Sequence, residues 1–264
     1  MRGVRVFSLY SGSTGNSFLV NGPEGALLID AGKSAKRLDM ALRNAGVDPD
    51  RIGGVLVTHE HSDHISALPV WLKKHPVPVH LQGACAYRLE KEPSVEPHLC
   101  KHPPIFSCEI CGIRVTSFPT PHDSHGSVGY RMEIPTEDGG VLSLGYATDM
   151  GYVSREVEEG LTGCDAVILE SNHDPDMLMY GPYPYELKRR IASRRGHLSN
   201  GDSAAFAAEL CAKGTKSLML AHLSQENNTP DTAYDACVSS VGDGGVRICV
   251  AHPEDITELI WEEL

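Results

Sequence analysis

The stretch GGVLVTHEHSDHISAL, residues 53–68, places three histidines and two acids, His59, Glu60, His61, Asp63 and His64, within six positions directly after an apolar run. GGVLVT has the length and content of a short buried strand. Neutral imidazole and carboxylate are ligands for hard or borderline divalent cations, and residues two apart on an extended segment can turn toward one ion. His59 and His61 have that spacing. Asp63 and His64 fall at the start of the next helical segment, shifted along the chain, which suits a second ion beside the first. An isolated HxH on a solvated turn occurs by chance. HxHxDH between a buried strand and a helix is far more specific.

Upstream of this stretch the chain reads as strands and tight turns: VRVFSLY, the turn SGSTGN at residues 11–16, SFLV, and GALLID ending at Asp30. KSAKRLDMALRNAG follows with Leu38, Ala41, Leu42 and Ala45 at helical spacing and a stop at Gly46. Downstream, ISALPVWLKKH is helix-like and PVPVHLQ strand-like. The proline-rich residues 90–106 read as an irregular surface loop. Strand character returns in IRVTSFPT, VGYRMEI and GVLSLGYATD, then the helix SREVEEGLTG and the strand DAVILE. The helix GDSAAFAAELCAKG, the strand SLMLAHLS and a last strand VRICVAH complete the pattern. No linker divides the chain, and residues 1–264 are expected to form one domain of mixed α/β layers.

Composition limits the function. With 41% hydrophobic and 22% charged residues the chain is ordinary globular protein, which excludes disordered and fibrous classes. No apolar run approaches the roughly 18 residues of a membrane span, and no secretion signal opens the sequence. A soluble cytoplasmic protein with no membrane association is expected, its eight cysteines reduced. A net charge of −12 opposes general nucleic-acid binding, so a phosphate-bearing substrate needs a local basic patch.

THEHSDH resembles the central signature of the metallo-β-lactamase fold superfamily, and the other signature elements follow in the family's order: Asp30 in LLIDAG, His122 in PTPHDSHGSVGY, Asp149 in YATDMG and His222 in LAHLS. The resemblance implies a four-layer αββα sandwich with a dinuclear site at the edge of two sheets. It implies that His59, His61 and His122 hold one divalent ion and Asp63, His64 and His222 the other, with Asp149 bridging and Asp30 a supporting acid that bonds a ligand. Zinc, manganese and iron all suit this donor set. His125, three residues beyond His122 in the same loop, competes for its place, and the family's distance before GY favours His122. Members that reduce oxygen carry glutamate where this chain has His61, which points to hydrolysis. Asp63 and Asp30 are counted with the catalytic residues on the same ground.

Within the superfamily, SGSTGNSFLV, PHDSHGSVGY, TDMGYVS, LESNHDPDML and RRGHLSN resemble segments of the YycJ/WalJ-like group of bacterial proteins. That group is regarded as 5′ to 3′ exonucleases on double-stranded DNA, which makes DNA the expected partner. Glu170, ending DAVILE, and His197 are similar to the pair that assists proton transfer to the leaving group in related phosphodiesterases. Independently of the resemblance, Lys188, Arg189, Arg190, Arg194 and Arg195 crowd eight positions before His197. Such a run is often a solvated helix face, but here it adjoins a candidate catalytic histidine. Ser199 or Asn200 would cap the next helix and bring His197 near an N-terminus favourable to anions. The 11–16 turn could cradle phosphate, although Gly/Ser turns are common. Cys108 and Cys111 form a CxxC that is chemically suited to a structural zinc, yet lacks a second spaced pair. A small-molecule esterase, thioesterase or lactonase would use the same ligands, and a metal-binding scaffold would keep them. The walls of the site distinguish these: basic for nucleic acid, apolar for acyl groups.

Overall fold

The computed structural model describes residues 3–242 and 244–260. The chain first lays down β1 (Arg5–Tyr10), β2 (Ser17–Gly22) and β3 (Gly25–Ile29), crosses through α1 (Ala35–Asn44), and returns as β4 (Ile52–Val57). Two short helices, α2 (Ser62–Ile65) and α3 (Leu68–Trp71), precede β5 (Val79–Gln82) and β6 (Leu99–His102). The second half runs β7 (Ser107–Ile110), β8 (Ile113–Pro119), β9 (Val128–Pro135), β10 (Val141–Ala147), α4 (Arg155–Leu161) and β11 (Ala166–Glu170). Then come α5 (Pro175–Tyr180), α6 (Tyr185–Ile191), α7 (Asn200–Ala212), β12 (Ser217–Ala221), α8 (Pro230–Val241), β13 (Arg247–Val250) and β14 (Thr257–Leu259). These strands make two seven-stranded sheets, ordered β14-β1-β2-β3-β4-β5-β6 and β13-β12-β11-β10-β9-β8-β7.

Both faces of each sheet are covered, which is why its central strands read as unbroken apolar runs. Phe18, Leu27, Ile29 and Leu56 of the first sheet share one core with Tyr130, Leu144, Tyr146 and Ile168 of the second. The rings of Phe18 and Tyr146 meet edge to face at 5.1 Å within it. Leu38 and Leu42 of α1 and Trp71 of α3 cover the far side of the first sheet, on Leu28, Val55 and Val57. Leu161, Phe206 and Leu210 cover the far side of the second, on Val167, Leu169 and Leu218. The result is the expected αββα sandwich. No helix among the described residues is long and apolar enough to cross a membrane.

Strand direction creates the site. β3 and β4 are parallel, with Ile29 opposite Leu56, so Asp30 and Thr58 emerge side by side. β10, β11 and β12 are parallel too, with Ala147, Leu169 and Leu220 in register, so Asp149, Glu170 and His222 emerge at one edge. Crossover connections of this kind leave functional groups at the carboxyl ends of strands.

Three elements differ from the sequence reading. Within residues 90–106, Leu99–His102 pairs parallel with β5 as an edge strand; four half-exposed residues carry too little alternation to signal it. Residues 65–75 form no continuous helix, because Pro69 lacks the N–H an interior turn needs and instead starts α3. VRICVAH is not the last strand: β14 returns to pair antiparallel with β1, Val6 opposite Leu259.

Gly32 marks where three backbones cross. Its N–H donates to the Asn16 carbonyl at 2.8 Å while the Asn16 N–H donates to the Asp63 carbonyl at 2.8 Å. A Cβ at Gly32 would overlap the Asp63 carbonyl oxygen and the Asn16 backbone. Gly32→Ala is therefore expected to cost about 1–3 kcal/mol, the usual range for overpacking. Thermal unfolding should fall by roughly 2–4 °C per kcal/mol, and an unchanged midpoint would show that the crossing yields without cost.

Candidate metal centre

The first sheet contributes an imidazole array fixed from behind by one carboxylate. Asp30 is fully buried; its Oδ1 accepts the Thr58 N–H at 2.8 Å, and its Oδ2 accepts the Thr58 hydroxyl at 2.8 Å and the His64 Nδ1–H at 2.7 Å. Because the Thr58 hydroxyl gives its hydrogen to Asp30, the same oxygen accepts from His59 Nδ1, 3.0 Å away. Both imidazoles are thereby held as Nδ1–H tautomers with Nε2 turned toward the centre. His64 Nε2 lies 3.4 Å from Asp63 Oδ2 and 3.5 Å from Asp149 Oδ2.

The second sheet repeats this device with Glu170. Its Oε2 accepts the N–H groups of Met150 at 2.8 Å and Leu198 at 3.2 Å; its Oε1 accepts His197 Nδ1 at 2.8 Å and His222 Nδ1 at 3.0 Å. His222 Nε2 then reaches within 3.4 Å of Asp149 Oδ1. His122 gives its Nδ1–H to the Gly196 carbonyl at 3.1 Å and places Nε2 3.8 Å from Asp149 Oδ1. Asp30, Asp149 and His222 all have left-handed backbones, φ 60°, 58° and 59°. Such a conformation costs about 1–2 kcal/mol for a non-glycine residue, and strain of this kind gathers at functional sites.

The donor set fits a divalent cation. Nε2 of His59, His122 and His222 and Oδ2 of Asp149 are buried without a hydrogen-bond partner, a condition that costs about 1–3 kcal/mol for each group left unsatisfied. Ligand atoms of His59, His61 and His122 lie within 4.8 Å of one another, as do those of Asp63, His64 and His222, and those of His59, His64 and Asp149. Asp149 thus stands between the two histidine groups. His125 is elsewhere: its Nδ1 bonds Glu60 Oε1 at 2.7 Å, its ring packs on Tyr87 at 4.5 Å, and its side chain is 60% exposed. His122 is the histidine brought to the centre.

Two residues here escape the sequence reading. Asp123 Oδ1 lies 3.3 Å from His122 Nε2 and 3.9 Å from His61 Nε2, while its Oδ2 accepts Arg190 Nε–H at 2.6 Å. Its adjacency to His122 was the available signal. Asn16 Nδ2 sits 3.2 Å from Asp63 Oδ2 and 3.0 Å from His64 Nε2. The 11–16 turn accordingly supports Asp63 and His64. Its Gly12, Gly15 and Asn16 amides are spent on Asn16 Oδ1, the Gly12 carbonyl and the Asp63 carbonyl. Cys111 packs toward the Ala26 carbonyl, and among the described residues no metal-capable group includes a cysteine.

Residues 26–223, about three-quarters of the chain, match the Beta-lactamase superfamily domain. The chain belongs to that family. The superfamily protein described here is 38% identical over 240 residues to the exodeoxyribonuclease YycJ of Bacillus anthracis, covering 88% of this chain and 86% of that one. It is 32% identical over 255 residues to the exodeoxyribonuclease WalJ of Streptococcus pneumoniae, covering 94% and 92%. Among solved structures, the metallo-β-lactamase fold protein YhfI of Bacillus subtilis superposes with a TM-score of 0.73 at 16% identity, over 97% of this chain and 99% of that one. The superfamily protein is a metal-dependent hydrolase that uses divalent metal.

Charge in the hydrolase centre is finely divided. Burial and the neighbouring imidazoles of His64, His122 and His61 push His59 well below the usual histidine range. Burial also lowers His222, but the Asp149 carboxylate and the Glu170 bond override it and push the ring up to about 9. Burial would raise Glu170, yet the His197 and His222 partners hold it below the carboxylate range. Thr58 supports the array from behind, since its hydroxyl bonds the Asp30 carboxylate and orients the His59 ring. Thr58→Val, of like shape without the hydroxyl, should weaken metal affinity by roughly 10- to 100-fold, the range for removing a group behind a ligand. Competition with a chelator measures it; undiminished affinity would mean that the rings need no such support.

Proposed function

We propose that the enzyme is a dinuclear phosphodiesterase that hydrolyses DNA, as a 5′ to 3′ exonuclease. His59, His61 and His122 would hold one divalent ion and Asp63, His64 and His222 a second, with the Asp149 carboxylate available to both; zinc and manganese suit the donors, as does iron. Asp30 positions His64 and His59. Bound divalent ions supply Lewis-acid charge to phosphoryl oxygens and acidify water near neutral pH.

The observation that carries this reading is the Glu170–His197 pair. Glu170 accepts His197 Nδ1 at 2.8 Å, which leaves Nε2 on the wall of a cleft of about 290 Å³ shared with His61, Asp149 and His222. A phosphodiester leaves as an alkoxide that requires a proton, and His197 stands where it can give one, with Glu170 stabilising the charged ring. Beside the metal-centre residues the cleft wall carries Arg190 and Asn172 together with Leu187, Ile191 and the Tyr183 ring. Two relatives named exodeoxyribonucleases support DNA as the substrate. All eight cysteines are free, in keeping with a reducing cytoplasm.

The basic run divides in the fold. Lys188 donates to the carbonyls of Met179 and Gly181, Arg189 faces Glu186, and Arg190 holds Asp123. Arg194 and Arg195 have no carboxylate partner among the described residues, and these two are the phosphate contacts.

Two measurements test the reading. His197→Ala should reduce DNA hydrolysis by roughly 10²- to 10⁴-fold, the range for general acid catalysis, while sparing bis-p-nitrophenyl phosphate, whose nitrophenolate leaves unprotonated. Equal losses on both substrates would assign His197 to binding or support. Affinity for DNA should fall with salt at a shallow slope, on the order of two to four released counterions, and the Arg194→Ala/Arg195→Ala double variant should flatten it. A slope unmoved by that variant would return the two arginines to the solvated surface.

A further inference from the structure

The metal cleft has a neighbour that the mechanism does not use. A groove of about 560 Å³ lies behind the His122 loop, and His122 lines both spaces. Its size is ordinary for a small-molecule site. Arg194 and Arg195 line it, together with Tyr152, Gln82 and Ser124. The Arg194 guanidinium stands over the Tyr152 ring, 4.0 Å from its centroid. Arg195 Nε–H donates to the His122 carbonyl at 3.3 Å, which ties the groove to the loop that carries a metal-centre histidine. Ser124 Oγ is buried there without a hydrogen-bond partner.

Each feature asks for the same occupant. Two guanidiniums without carboxylate partners among the described residues, in a chain of net charge −12, draw a polyanionic strand to the mouth of the groove. An aromatic ring paired with a guanidinium plane is a platform on which any nucleobase stacks, and nearby amide and hydroxyl groups can meet a base edge. Gln82 supplies the amide: its Oε1 accepts the Ala84 N–H at 2.6 Å, leaving its amino group for another partner. Gly126 permits the arrangement, since a Cβ there would overlap the Gln82 carboxamide. A duplex is too wide for such a groove. One unstacked nucleotide is not.

We propose that this groove is a nucleotide subsite: it receives the base of the 5′-terminal nucleotide, stacked on the Tyr152–Arg194 platform, while the phosphate on the 3′ side of that nucleotide, the one whose bond is cut, lies at the metal centre. The inference rests on the nuclease reading and adds that the enzyme frays the end of its substrate before cutting. Each terminal base leaves its pair and enters the groove, so selection is for a free end and tolerant of sequence.

The test compares two ligands that differ only by the base. Equilibrium binding of 2′-deoxyadenosine 3′-monophosphate and of 2-deoxyribose 3-phosphate is measured on the metal-loaded, full-length protein. Wild type should prefer the nucleotide by roughly 5- to 100-fold, the range one base stack contributes. Tyr152→Ala should collapse the preference and Tyr152→Phe keep it. Arg194→Ala, at an exposed position, should reduce it and guards against a fold defect in the tyrosine variant. In parallel, the KM of wild type should rise for duplex DNA with an abasic 5′-terminal nucleotide, and the gap between intact and abasic ends should close in Tyr152→Ala. Equal affinity of wild type for the two ligands, or a preference that survives Tyr152→Ala, overturns the subsite. Base preference in a protein that leaves DNA uncut would uphold the groove and sink the nuclease reading. DNA cleavage indifferent to the terminal base would do the reverse.

Discussion

The centre depends on one buried charge. Asp30 has no solvent exposure, and a carboxylate removed from water is tolerated only when its lone pairs are filled. Thr58 fills two of them, by its N–H and its hydroxyl, and His64 fills a third. That pairing exists because β3 and β4 run parallel with Ile29 opposite Leu56. The carboxylate sets the direction of the Thr58 hydroxyl, the hydroxyl sets the His59 tautomer, and the carboxylate itself sets the His64 tautomer. Backbone register is thus converted into the facing of two imidazole nitrogens.

Glu170 solves the same problem in the second sheet with a different outcome. Asp30 serves imidazoles that both turn to the centre. Glu170 divides one oxygen between His222, whose Nε2 approaches Asp149, and His197, whose ring lines the cleft. A carboxylate that only orients ligands makes a binding site. One that also bonds an imidazole beside a cleft can support proton transfer, the role proposed for Glu170, and its four donors keep it ionised.

What could be read from the sequence follows from what spacing encodes. HxHxDH was readable as a metal motif because side-chain type and spacing after a buried strand are local, whereas Asp30, His122, Asp149 and His222 were reached only through the family resemblance; the structure gathers the histidines with Asp63 and Asp149 around one space and sets Asp30 behind them. Mixed α/β layers were readable because central strands covered on both faces are continuously apolar; their four-layer order came from the resemblance. β6 and β14 were not: each is a short edge strand whose pairing partner lies far along the chain or across the turn, and nothing local marks it. Asn16 and Asp123 were missed for a related reason. Their roles come from the Gly32 crossing and from the bond to Arg190, both of them tertiary contacts. The choice between His122 and His125 also needed the fold, because only Glu60 and Tyr87 show where the second ring is held.

The basic run shows how misleading linear density can be. Five cations in eight positions look like one patch, yet the fold spends three on carbonyls and carboxylates and leaves two beside the groove. For a protein of net charge −12 this distribution matters more than the count. That net charge repels a polyanion at long range, and Arg194 and Arg195, without a carboxylate partner among the described residues, offset it locally. Two such guanidiniums, one over the Tyr152 ring and one bonded to the His122 carbonyl, add limited affinity, but charge placed this way favours one orientation of a polyanion over others. On the proposed nuclease reading the acidic background takes part in recognition, by favouring a DNA backbone that runs along the groove Arg195 shares with His122.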